Sequence, residues 1–205
     1  MITIVDYGLG NLGSMANMMK KIGAPARVSS DPDDILSAEK LVLPGIGAFD
    51  QGIQSLRDRG LIEPLNQRVL KDRIPVIGVC LGMQLLGASS EEGSKKGLEW
   101  IPARTIWFRN TPGCENLRVP HIGWNETRLV RSDPIMARLE DRARFYFVNS
   151  YHVVCEDLDN IVATTPYGID FVSILRHKNI WGAQFHPEKS HRFGMQLLRN
   201  FVAMN

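Results

Sequence analysis

The sequence has little of what would send a chain to a membrane, a nucleic acid or an oxidising compartment. No apolar run among its 205 residues approaches the roughly 20 needed to cross a bilayer. Its start, Ile2-Thr3-Ile4-Val5 followed by Asp6, lacks a charged leader and a cleavage site. Cysteine is scarce: Cys80, Cys114 and Cys155 are an odd number, at spacings that fit neither a disulfide framework nor a zinc site. Net charge is nearly absent too, with 24 Lys and Arg against 22 Asp and Glu giving +2 and no long run of one sign. A phosphate backbone or an anionic lipid surface would call for more. No shift in composition divides the chain, so the expectation is one domain over residues 1–205 in the cytoplasm, with no nucleic acid and no membrane as partner.

What is present centres on Pro75-Val76-Ile77-Gly78-Val79-Cys80-Leu81-Gly82-Met83-Gln84. A short apolar, mostly β-branched run enters Gly-x-Cys-x-Gly and continues into helix formers, which reads as strand, sharp turn and helix with a cysteine at the tip. The flanking glycines let strand and helix backbones pass closely, and a thiol at a helix N-terminus lies where partial positive charge favours its thiolate. A buried structural cysteine is the plainer alternative, since free Cys packs as a small hydrophobe.

The first half alternates strands and helices. Ile2 to Val5 is a strand, Asp6-Tyr7-Gly8-Leu9-Gly10-Asn11 a glycine-rich turn, and Leu12, Met15, Met19 and Ile22 a helical stripe. The turn lacks the third glycine or the lysine of a nucleotide-binding loop. Leu41 to Leu43 is another strand, delivering Pro44-Gly45-Ile46-Gly47 at its end. Such alternation predicts an α/β fold, an open and mostly parallel sheet flanked by helices, with functional loops at the strands' C-terminal edge. Both Gly45 to Gly47 and Cys80 fall there, so loop N–H groups and that of Leu81 could together hold an oxyanion.

From Arg118 to Asn125 the chain reads as a Gly- and Pro-rich loop whose Trp124 is either packed inward or an anchor for a partner. Short strands at Phe145 to Val148, Ile161 to Thr164, Phe171 to Leu175 and Trp181 to Phe185 predict an antiparallel extension in the C-terminal third. A final amphipathic helix carries Phe193, Leu197 and Phe201, with Ser190 as its expected N-cap. Just before it, His186 and Glu188 stand two residues apart in an expected extended segment, so that a base and its orienting carboxylate project to one side. A cysteine nucleophile needs such a pair.

Three motifs, Pro44-Gly45-Ile46-Gly47, Gly78-Val79-Cys80-Leu81-Gly82-Met83-Gln84 and Gln184-Phe185-His186-Pro187-Glu188, resemble in order and spacing those of the triad, or class I, glutamine amidotransferases. Within that family, Asp6 to Asn11, Pro120 to Asn125, Phe145 to His152 and Glu188-Lys189-Ser190 resemble the glutaminase subunits of imidazole glycerol phosphate synthases. The resemblance implies that Cys80 attacks the glutamine amide, His186 passes the proton and Glu188 orients His186. It implies an oxyanion held by Gly45, Ile46, Gly47 and Leu81, and a substrate gripped by Gln84, Glu92 and the backbone near Ser150. Asn11, Trp124, Asn125, Tyr146 and Lys189 match positions facing a separate (β/α)8-barrel synthase subunit in a heterodimer. It implies no metal and no organic cofactor.

His191-Arg192-Phe193-Gly194 and Asn149 depart from the usual pattern of these subunits and resemble paralogues associated with bacterial surface-sugar pathways, where the ammonia amidates a sugar. A cysteine hydrolase or peptidase, or a non-catalytic binding subunit, on the same fold is the competing reading.

Overall fold

A computed structural model describes residues 1–204. Its strands are β1 (Ile2–Val5), β2 (Ala26–Ser29), β3 (Lys40–Gly45), β4 (Val76–Cys80), β5 (Ser89–Ser90), β6 (Ala103–Trp107), β7 (His121–Leu129), β8 (Ala143–Asn149), β9 (Tyr151–Cys155), β10 (Ile161–Tyr167), β11 (Ile169–His177) and β12 (Ile180–Ala183). Its α-helices are α1 (Leu12–Lys21), α2 (Pro32–Leu36), α3 (Phe49–Asp58), α4 (Ile62–Asn66), α5 (Leu81–Leu85) and α6 (His191–Val202). None is long and apolar enough to cross a membrane.

The sheet runs β2-β1-β3-β4-β12-β11-β10-β7-β8, with β5, β6 and β9 branching from β11. Its first five strands are mutually parallel. From β12 onward the pairings are antiparallel. Period-two alternation sends the apolar residues of the parallel strands to both faces. Ile4, Val42, Ile77 and Val79 join Met15, Met19, Leu197 and Phe201 under α1 and α6. Val5, Leu41, Leu43 and Val76 join Phe49, Ile53, Leu56 and Leu81 under α3 and α5.

Three expectations are corrected. The Arg118 to Asn125 loop is in fact the entry to β7, paired with β8 so that Trp124 lies opposite Tyr146. Its pattern is inverted: Ile122 and Trp124 are exposed, while His121 and Thr127 are buried. On this side Thr127 bonds Thr165 at 3.1 Å and Asn125 Nδ2 donates to Pro166 O at 2.8 Å. Second, Ser190 does not cap α6 with its side chain. Its Oγ donates to His186 O at 2.6 Å and accepts from Tyr146 N at 3.0 Å, tying β8 to the segment that carries His186. Third, Pro187–Lys189 is a 3-10 turn and not extended, with His186 in β conformation just before it.

Candidate active site

Cys80 occupies the turn between β4 and α5 with φ 54° and ψ −111°, a region that side-chain-bearing residues seldom adopt. The chain around it passes too closely for larger neighbours. A Cβ on Gly78 would lie 2.6 Å from Gly82 O, and one on Gly82 would lie 1.8 Å from Leu43 O. The strained thiol faces a cavity of about 270 Å³.

From the opposite wall comes His186, whose backbone N–H donates to Tyr146 O at 2.9 Å. Its Nδ1 meets Glu188 Oε1 at 2.9 Å, with both side chains almost wholly buried. Burial alone would lower the imidazole, but hydrogen bonding and charge from Cys80 and Glu188 outweigh it and hold His186 up at about 9. The other buried histidines behave oppositely. Burial pushes His121 and His152 each down to about 4. His186 is therefore the imidazole prepared to hold a proton at neutral pH, and Glu188, whose second oxygen is buried without a partner, faces that proton.

The thiol also lies 3.8 Å from Val148 O and 3.9 Å from Gln184 Nε2. Gln184 also accepts from Gln84 Nε2 at 3.2 Å, so this buried glutamine links Cys80 to Gln84. The other thiols are poor competitors. Burial pushes Cys155 up to about 11 and also raises Cys114.

Of the residues singled out in the sequence, Ile46, Gly47, Leu81, Gln84, Glu92, Ser150 and Lys189 line the cavity with Cys80 and His186. Gly45 lies behind it, paired with Cys80 across β3 and β4. Glu92 has a fixed carboxylate, since its Oε2 accepts from Phe49 N at 2.9 Å at the start of α3. Pro120, Val148, Asn149 and Tyr151 complete the wall and went unnoticed in the sequence as cavity residues, since it is the pairing of β7 with β8, with His121 opposite Asn149, that brings Pro120 beside the end of β8. Asn11 lies outside the cavity, in a turn whose Gly10 packs so closely that a Cβ would come within 3.3 Å of the Pro44 backbone. Trp124 and Tyr146 are also outside it, with ring centroids 6.1 Å apart, and Lys189 Nζ lies 5.9 Å from the Tyr146 ring. Asn125 turns its amide inward to Pro166. Among the described residues no group of three or more His, Cys, Asp or Glu side chains could hold a metal ion.

A family model, "Glutamine amidotransferase class-I", matches residues 3–204. The chain is a class-I glutamine amidotransferase. It is 48% identical over 202 residues to the imidazole glycerol phosphate synthase subunit HisH 2 of Methanococcus maripaludis, covering 98% of each chain. To the subunit of the same name from Pseudomonas aeruginosa it is 47% identical over 204 residues, covering all of both. Among solved structures, PurLQS from Thermotoga maritima superposes with a TM-score of 0.75 at 15% identity, covering 98% of this amidotransferase and 96% of that chain. A structure described as a glutamine amidotransferase gives 0.74 at 18% identity, covering 98% and 96%. These last two likenesses concern the fold.

Proposed function

We propose that this amidotransferase is the glutaminase subunit of an imidazole glycerol phosphate synthase, working in histidine biosynthesis as a single cytoplasmic domain. The sulfur of Cys80 adds to the carboxamide carbon of L-glutamine, and the oxyanion is held by N–H groups of Leu81 and the Gly45 to Gly47 loop. Collapse of that adduct breaks the C–N bond, with the His186 proton going to the departing nitrogen, so that ammonia leaves and a thioester remains on Cys80. His186 then takes a proton from water, which attacks the thioester and releases glutamate. Glu188 keeps the imidazole oriented throughout. The ammonia passes to a (β/α)8-barrel synthase subunit in a heterodimer, which forms imidazole glycerol phosphate and AICAR.

The observation that carries this reading is the cavity that gathers an elbow cysteine and a carboxylate-bound imidazole within a class-I amidotransferase. A glutamine-analogue electrophile tests it: mass spectrometry should find the label on Cys80 and on neither Cys114 nor Cys155. Label spread over all three cysteines would sink the assignment.

The exposed side of β7 and β8 supports the partner half of the proposal. Ile122 is 62% and Trp124 39% exposed, and Trp124 stacks on His191 with ring centroids 5.4 Å apart. Apolar side chains facing outward from a hairpin beside the cavity mouth fit a docking surface. Trp124→Ala should therefore weaken binding to the synthase by about 2 kcal/mol or more, read by titration calorimetry, with little change in Tm. Unchanged affinity with a sharply lowered Tm would make Trp124 part of the fold instead. A second reading, the same chemistry feeding amidation of a surface sugar, is favoured by His191 and Asn149, the latter in the cavity wall. Which synthase co-purifies decides between the two acceptors.

A further inference from the structure

Tyr7 is wholly buried, and its hydroxyl has no hydrogen-bond partner. A phenylalanine would fill the same space without leaving a polar group unsatisfied, so the hydroxyl needs a reason. Its position supplies one. A Cβ built on Gly45 would stand 2.4 Å from Tyr7 Oη, with Gly82 N and Leu81 Cβ at 2.8 Å. The phenol thus presses on the backbone of the loop proposed to hold the oxyanion, directly beneath the elbow. Burial, and then the charge of Cys80, push the phenol well above its ordinary range, so it remains a proton donor.

The loop has the freedom to give that donor an acceptor. Gly45 and Gly47 flank Ile46, Gly47 has φ +125°, and Ile46 is exposed. The peptide that carries the Ile46 N–H carries the Gly45 carbonyl on its opposite edge, so the two groups must turn together. We infer that the Tyr7 hydroxyl is a positioning group, donating a hydrogen bond to the Gly45 carbonyl when this peptide turns its N–H toward the substrate oxygen. The inference rests on the glutaminase reading above. It explains why a buried hydroxyl stands unpaired here, since its partner is presented only in the turned loop. Tyr7 touches no reacting atom; it acts through Gly45 and Ile46.

Tyr7→Phe tests this on the purified chain, because every turnover passes through the turned loop. The expected result is a fall in kcat for glutamine hydrolysis of about tenfold or more, within the hundred- to thousandfold that losing an oxyanion donor outright costs. KM for glutamine should stay within twofold, and Tm should not fall. Analogue labelling should still reach Cys80, at a lower rate. A kcat within twofold of wild type would overturn the inference and leave the glutaminase reading standing. A lowered Tm with kcat and KM disturbed together would also overturn it, by making Tyr7 a packing residue. If the unaltered chain neither hydrolysed glutamine nor took the label at Cys80, the underlying reading would fall and the inference with it.

Discussion

Cys80→Ala is expected to reduce kcat for glutamine hydrolysis by on the order of 10⁴ to 10⁶, since no other thiol can take its place. Cys114 and Cys155 are buried and held protonated by that burial. Loss of one small side chain from the elbow should leave Tm almost unchanged. His186→Ala should be as severe in rate but should also destabilise, because it strands the Glu188 carboxylate, whose side chain is 2% exposed, without its partner. A buried charge left alone in this way costs about 3–5 kcal/mol. Glu188→Gln should be milder by about one to two orders of magnitude, as the orienting member of a triad does not itself exchange the proton.

The pH profile separates these roles. Burial opposes the imidazolium, but Cys80 and Glu188 hold His186 at about 9 against an ordinary value of 6.5. On the proposed mechanism the proton donor to departing ammonia then survives through neutrality, and kcat/KM should fall only as pH passes about 9. Glu188→Gln removes a hydrogen-bonding charge that raises the imidazole, so that fall must move to lower pH. The linked stability has the same sign: it is complete below 6.5 and lost as pH rises through about 9. An alkaline limb unmoved by Glu188→Gln would separate Glu188 from His186 functionally. More than a per cent of activity left in Cys80→Ala would place the nucleophile elsewhere.

The parts of the fold legible in the sequence are those where burial is two-sided. Val76, Ile77 and Val79 form an apolar run because β4 is covered by helices on both faces, and the run then breaks at Gly78 and Gly82, where backbones nearly touch. The elbow, the Pro-Gly-Ile-Gly loop and the His186–Glu188 pair were readable for a local reason: each is a short stretch whose chemistry and turn are written in consecutive residues. What escaped is non-local. β7 hides because Ile122 and Trp124 face outward while His121 and Thr127 face inward, the reverse of the alternation that marks a half-buried strand. β9 went unread as well, and with it the contribution of Tyr151 to the cavity wall. The Gln184 bridge between Gln84 and Cys80 joins residues about 100 apart in the chain, beyond any local pattern. Ser190 illustrates competition between local and distant partners. Its place before α6 suits a cap, yet its hydroxyl is taken by Tyr146 N and His186 O, and the cap is lost.

The isolated chain is expected to hydrolyse glutamine weakly and to be stimulated by on the order of 10² to 10³, mainly in kcat, when its synthase subunit binds loaded with acceptor. Chemistry supplies the motive. Ammonia released into water near neutral pH is mostly protonated and lost as a nucleophile, so unpartnered turnover wastes glutamine. The triad is an unsuitable place for such restraint, because His186 and Glu188 are packed within a buried segment tied to β8 by Ser190. The Gly45 to Gly47 loop is better suited. It carries an exposed Ile46 between two glycines, at the rim where Lys189 also lines the cavity. Turning one peptide there withholds one oxyanion donor, which costs about two to three orders of magnitude in rate without disturbing the nucleophile or its base. A partner seated on Trp124 and Tyr146 would lie beside that rim, and the turn ending at Asn11 packs through Gly10 on Pro44, so contact at either place can bias the loop. Because the change is in the stabilisation of the transition state, kcat should carry the stimulation and KM for glutamine should move little. Steady-state assays of the chain alone, with synthase, and with synthase plus acceptor measure it directly. Full activity of the purified chain, unaltered by synthase, would falsify the loop as a restraint.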